Sequence, residues 1–132
     1  MKKVFICSPY KGDVEGNIQK AKRYARIATQ CSVVPIAPHL YFPTFLEEEN
    51  PNERMLGISL GLELMHSCDE VWLLGFTISD GMKLELEKAK ELKLPVRLYD
   101  EEMNRVNVVT LPVDDRADSE YKAIVKGLKL LK

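Results

Sequence analysis

The chain has 132 residues, 45% apolar and 30% charged, with 19 Lys/Arg against 20 Asp/Glu for a net charge of −1. This describes a single globular domain over residues 1–132 that can bury a core without disulfide or metal staples, and it excludes a disordered or fibrous chain. Balanced charge argues against a nucleic acid polymer as the main partner.

Met1-Lys2-Lys3-Val4 carries no apolar leader, and the longest uncharged run, Cys31 to Leu46, is broken by Pro35, Pro38 and Pro43. A cytoplasmic protein with no membrane partner is expected. The odd set Cys7, Cys31 and Cys68 lies in apolar stretches without metal-ligand spacing. It reads as buried, reduced thiols.

Lys3-Val4-Phe5-Ile6-Cys7 is the short apolar run of a central parallel strand. Ser8 to Asp13 is a turn, and Asp13 or a neighbour can cap a helix running to about Gln30. Its inward stripe is predicted as Ile18, Ala21, Ala25 and Ala28. A second strand follows at Val33 to Ile36, then a long apolar loop from Ala37 to Glu49. Asn50-Pro51-Asn52-Glu53 has the cap, first-turn proline and acidic third position of a helix start. That helix, to about Ser67, is apolar nearly all round, with Gly57 and Gly61 on one face. Such a helix needs cover on two sides, which predicts a homo-oligomer. Glu70 to Leu74 is the third strand, Ser79 to about Leu92 the next helix, and Pro95 to Leu98 the fourth strand. A weaker strand near Val106 to Leu111 and a last helix from Ser119 to Leu131 complete the chain. The alternation predicts an α/β fold: a doubly wound, flavodoxin/Rossmann-like parallel sheet of four to five strands flanked by helices.

Residues 1–30 carry seven Lys/Arg and two Asp/Glu, whereas residues 47–102 carry six and fourteen. The basic opening could steer a small anion, although a solvated helix face explains it equally well. Ligands of such sheets collect beyond the carboxyl ends of the strands. Three loops qualify: Ser8 to Asp13, Pro38 to Leu46 and Gly75 to Gly81. Neither the dinucleotide glycine fingerprint nor the P-loop pattern occurs, so neither cofactor class is expected, and no cofactor or metal is implied. On the helix after Ser79-Asp80-Gly81, Met82, Leu86, Ala89 and Leu92 face inward, and Glu85 falls within that arc. A carboxylate there is either structural or catalytic. His39 and His66 read as hydrogen-bonding residues rather than metal ligands. In the first loop, Tyr10 and Lys11 precede Gly12, which permits close approach to an anion.

Three blocks, Val4-Phe5-Ile6-Cys7-Ser8-Pro9-Tyr10-Lys11-Gly12-Asp13, Cys68-Asp69-Glu70-Val71-Trp72 and Ser79-Asp80-Gly81-Met82-Lys83-Leu84-Glu85, resemble the nucleoside 2-deoxyribosyltransferase superfamily. That superfamily includes the 2′-deoxynucleoside 5′-monophosphate N-hydrolases; small phage and bacterial proteins placed near it share the blocks. The likeness covers about residues 3–99. It implies that Glu85, four residues after Gly81, attacks the anomeric carbon of a deoxynucleoside or deoxynucleotide. It further implies that Asp69 helps hold substrate, and that Asp80 or Asp69 binds the sugar hydroxyl or protonates the leaving base. Ser79 and Lys11-Gly12 resemble the serine and Arg-Gly of the hydrolases, which favours water as the acceptor. With Ser8 they would surround a 5′-phosphate, while Tyr10 and Phe42 or Phe45 would stack on the base. Phe5 stands where the transferases have an orienting tyrosine, and residues lent by a neighbouring subunit have no clear counterpart. A second reading follows: a nucleotide or sugar-phosphate binding domain without turnover. A flavin protein ranks below both, because the first loop lacks a hydroxyl-rich run.

Overall fold

The computed structural model describes residues 1–132. Five parallel strands form one sheet: β1 (Lys3–Cys7), β2 (Val34–Ile36), β3 (Glu70–Leu74), β4 (Pro95–Tyr99) and β5 (Lys129–Leu130). Their spatial order is β2-β1-β3-β4-β5. The chain thus winds outward from β1 in both directions, which opens a crevice between the carboxyl ends of β1 and β3. The helices are α1 (Val14–Gln30), α2 (Pro51–Met65), α3 (Asp80–Glu91) and α4 (Ser119–Lys126).

Alternation along β1 divides the core. Phe5 and Cys7 join Val71, Leu73, Val96 and Leu98 beneath residues of α2, α3 and α4; Val4 and Ile6 join Trp72, Leu74 and Tyr99 with Tyr24 and Ala28 of α1. Tyr24, outside the predicted stripe, is fully buried, whereas Ile18 and Ala25 are half-buried. At the amino edge of the sheet, buried Glu70 accepts from Trp72 Nε1 at 2.8 Å and from Arg97 Nε, with Lys2 Nζ at 3.5 Å. Three donors offset the cost of burying that charge.

Two expected elements differ. No strand forms at Val106 to Leu111. The Asp100 carboxylate takes the Glu102 and Asn104 amides, and the Asn107 side chain takes the Val109 amide. These local turns bend the backbone away from a strand, and Leu111–Val113 closes as a 3-10 turn around Pro112. The last helix stops at Lys126 with Gly127 as its cap, and Lys129–Leu130 pair with Pro95–Val96 as the fifth strand. Of the cysteines, Cys7 and Cys68 are buried but Cys31, at the end of α1, is exposed. No helix is long and apolar enough to cross a membrane.

Candidate active site

The crevice holds a cavity of about 370 Å³, walled by the loops after β1, β2 and β3 and by one face of α2. This lies at the lower end of the range for small-molecule sites, roughly 300–1,000 Å³.

Its floor is set by α3. Ser79 caps the helix, its hydroxyl accepting the Met82 amide at 3.3 Å. Met82, Leu86 and Ala89 are buried against the sheet and carry Glu85 inward with them, leaving it 6% exposed. Helical side chains lean toward the amino end, so the Glu85 carboxyl points over the turn containing Gly81. A Cβ at Gly81 would meet nothing within 4 Å and would stand in open space at the cavity lining. Glycine there leaves the way to the carboxyl clear.

The roof comes from the loop after β2, which folds into two 3-10 turns, Pro38–Leu40 and Phe42–Thr44. Gly57 and Gly61 of α2 make room for it: a Cβ on Gly61 would lie 3.3 Å from Pro38, and one on Gly57 3.5 Å from Leu46. So seated, His39 stacks on Tyr10 with ring centroids 5.3 Å apart and places Nε2 3.9 Å from Glu85 Oε2. Asn17 of α1 fixes the loop bearing Tyr10, donating to the carbonyls of Tyr10 and Lys11 at 3.0 Å each.

Burial governs the electrostatics. Loss of water raises the Glu85 pKa from 4.5 to about 8, opposed by the Cys7 thiol beside it, and Glu85 Oε1 has no hydrogen-bond partner. Burial likewise lowers His39 from 6.5 to about 4, partly offset by the Ser8 backbone. Burial, then the Glu85 charge, push the Cys7 thiol well above its ordinary value, so it stays protonated. Near neutral pH the pair is therefore a carboxylic acid facing a neutral imidazole. Moving one proton across the 3.9 Å gap creates a carboxylate and an imidazolium with no change in net charge. Such a pair can supply a nucleophile and an acid from one proton.

Of the residues expected from the sequence, Tyr10, Lys11, Phe42, Ser79, Asp80, Gly81 and Glu85 line the cavity. The Asp80 side chain, however, is 97% exposed and pairs with Lys83 at 3.8 Å, which removes it from the chemistry at the floor. Ser8 is fully buried and is not part of the lining, and Gly12, with φ +96°, is exposed outside it. Asp69 is a correction: it precedes β3, at the opposite end of the strand from the cavity, where its carboxylate accepts the Lys3 amide at 2.9 Å. It ties β1 to β3 and cannot reach a ligand in the crevice. Conversely, His39, Glu48 and Arg54 line the cavity without having been expected there. The loop holding His39 was marked by its position after the second strand, but no spacing pairs a residue on β2's loop with one on α3. No group of three or more His, Cys, Asp or Glu side chains is placed to hold a metal ion.

Residues 2–99 match the family described as "Domain of unknown function (DUF7768)". No curated protein matches the sequence. Among solved structures, a 2-deoxyribosyltransferase from the psychrotolerant bacterium Bacillus psychrosaccharolyticus is similar, with a TM-score of 0.62 and 16% identity over 92% of this chain and 89% of that one. A conserved protein from Enterococcus faecalis V583 gives a TM-score of 0.57 and 12% identity over 100% of this chain and 91% of its own. At these identities the common ground is the fold, and the expected deoxyribosyltransferase-like architecture is borne out.

Proposed function

The chain belongs to the DUF7768 family, and we propose that it cleaves or exchanges the N-glycosidic bond of a 2′-deoxynucleoside or its 5′-monophosphate with Glu85 as nucleophile. The observation that carries this reading is the buried Glu85 carboxyl, one oxygen unpartnered, at the floor of a cavity large enough for such a ligand. The 2-deoxyribosyltransferase fold supports the same substrate class.

Breaking an N-glycosidic bond builds positive charge on the sugar, which a carboxylate beneath the ring stabilises before bonding to it. Glu85 passes its proton to His39 and attacks the anomeric carbon as the bond to the base breaks. The imidazolium passes that proton on to the leaving nitrogen. Water, or the ring nitrogen of a second base, then displaces the glutamyl ester, and the proton it releases returns through His39 to Glu85. Tyr10 and Phe42 offer aromatic faces to the base. Asp69 has no part in these steps, and His39 takes over the acid role expected of the aspartates.

Incubation with a panel of 2′-deoxynucleosides and their 5′-monophosphates, followed by chromatography for free base, tests the assignment. Base release is expected from the native protein, with a loss on the order of a thousandfold or more in Glu85→Gln. Equal release by both proteins would overturn it. A domain that binds without turnover is the second reading; Phe5, fully buried in the core, gives the carboxyl no hydroxyl from that position. Saturable binding with no base release would establish it.

The reading extends to a cytoplasmic single domain that self-associates through α2, whose Met55, Leu56 and Leu64 stay exposed.

A further inference from the structure

We infer that the cavity selects the uncharged 2′-deoxynucleoside over its 5′-monophosphate, and that Glu48 sets this choice by holding Arg54; the inference rests on the glycosidic reading above.

The charges around the cavity are unequal. Lys11 and Arg54 are its cations, while Glu48, Glu53 and Asp80 are carboxylates in addition to Glu85. Arg54 is already engaged, its Nε 3.3 Å from Glu48 Oε1, with both side chains about a third exposed. Glu53 completes the cap of α2, accepting from the Glu47 amide at 3.1 Å and from Asn50 at 3.5 Å, and brings no cation with it. Lys83, the nearest lysine on α3, is bound to Glu120 at 2.8 Å. Of the two cations that line the cavity, only Lys11 is left without an acidic partner.

Neither helix start compensates. The Asp13 carboxylate occupies the amino end of α1 through the Gly16 amide at 3.1 Å, and α3 begins with the Ser79 cap and the charged Asp80. The acidic field extends to a ring of the cavity wall: after burial, Glu48 and Glu49 are the charges that raise the Tyr10 hydroxyl. A phosphate monoester, carrying about −1.5 to −2 at neutral pH, would meet one free cation against two carboxylates, Glu53 and Asp80, outside the Arg54–Glu48 pair. A nucleoside carries no such charge, and the Tyr10, His39 and Phe42 rings suit its base.

The test compares kcat/KM for thymidine, 2′-deoxycytidine, 2′-deoxyadenosine and 2′-deoxyguanosine with that for the matching 5′-monophosphates. The nucleosides should be favoured by about tenfold or more. Glu48→Gln frees Arg54 for a phosphate and should reduce that ratio severalfold, whereas Glu87→Gln, the same charge change on the exposed side of α3, should leave it unaltered. Preference for monophosphates by the native protein, or a ratio unmoved by Glu48→Gln, would overturn the inference. If no substrate releases base, the glycosidic reading fails. Equilibrium binding of the same pairs to Glu85→Gln then decides the selectivity: tighter nucleoside binding upholds it, and tighter monophosphate binding or no binding of either overturns it.

Discussion

Glu85 and His39 share one proton at neutral pH, and their opposite displacements define a working range. A second proton enters on the His39 side near pH 4 and leaves no carboxylate to attack; loss of the single proton, from the Glu85 side near pH 8, leaves no acid for the departing base. The expected profile of kcat/KM for base release is a bell that falls below about pH 4 and above about pH 8. A rate that climbs through pH 8 to a plateau would show that the carboxylate acts without an acid. Glu85 could be read from the sequence because helical spacing alone turns it inward. His39 could not, since its partner lies on another element and only the folded crevice brings the two within 3.9 Å.

The two glycines of α2 make different demands on the cavity wall. At Gly57 an alanine methyl would meet Leu46 at 3.5 Å, an ordinary contact, and would reduce the backbone freedom of the unfolded chain. Gly57→Ala is expected to raise stability by about 0.5–1 kcal/mol in urea titrations. At Gly61 the nearest atom is Pro38 Cβ at 3.3 Å, so Gly61→Val must lift the turn that carries His39. A loss of about 1–3 kcal/mol is expected, with a fall in base release that Gly57→Ala does not share. The glycine face was visible in the sequence, but its occupant was not, because the loop that fills it has no periodic pattern. β3 was predicted to the residue, since Val71 to Leu74 form an unbroken apolar run that only a central strand accommodates. β5 was missed: Leu128, Leu130 and Leu131 continue the apolar spacing of α4, and two residues carry too little pattern to mark a strand.

At the scale of the whole molecule, the loop after β2 and α2, which wall the cavity, also carry Tyr41, Phe45, Met55 and Leu56, each roughly half exposed. Tyr41 packs edge-on against both Phe42 and Phe45 at 5.1 Å, so these rings form a preformed patch. Light scattering at micromolar concentration is expected to show at least a dimer, and Leu56→Glu a monomer that still unfolds cooperatively, with native circular dichroism. A monomeric native protein would exclude self-association through α2.

The family match ends at Tyr99, yet five of the sixteen residues in the larger core cluster, Val106, Leu111, Ala117, Tyr121 and Val125, lie beyond it. The tail is thus part of the fold, and its final residues have a separate consequence. Leu131 donates its amide to Val96 at 2.8 Å, and Lys129–Leu130 occupy the outer side of β4. Stripped of that short border, β4 would offer free peptide groups to any extended chain nearby. The last few residues act as a selvedge, keeping each sheet from being stitched to the next.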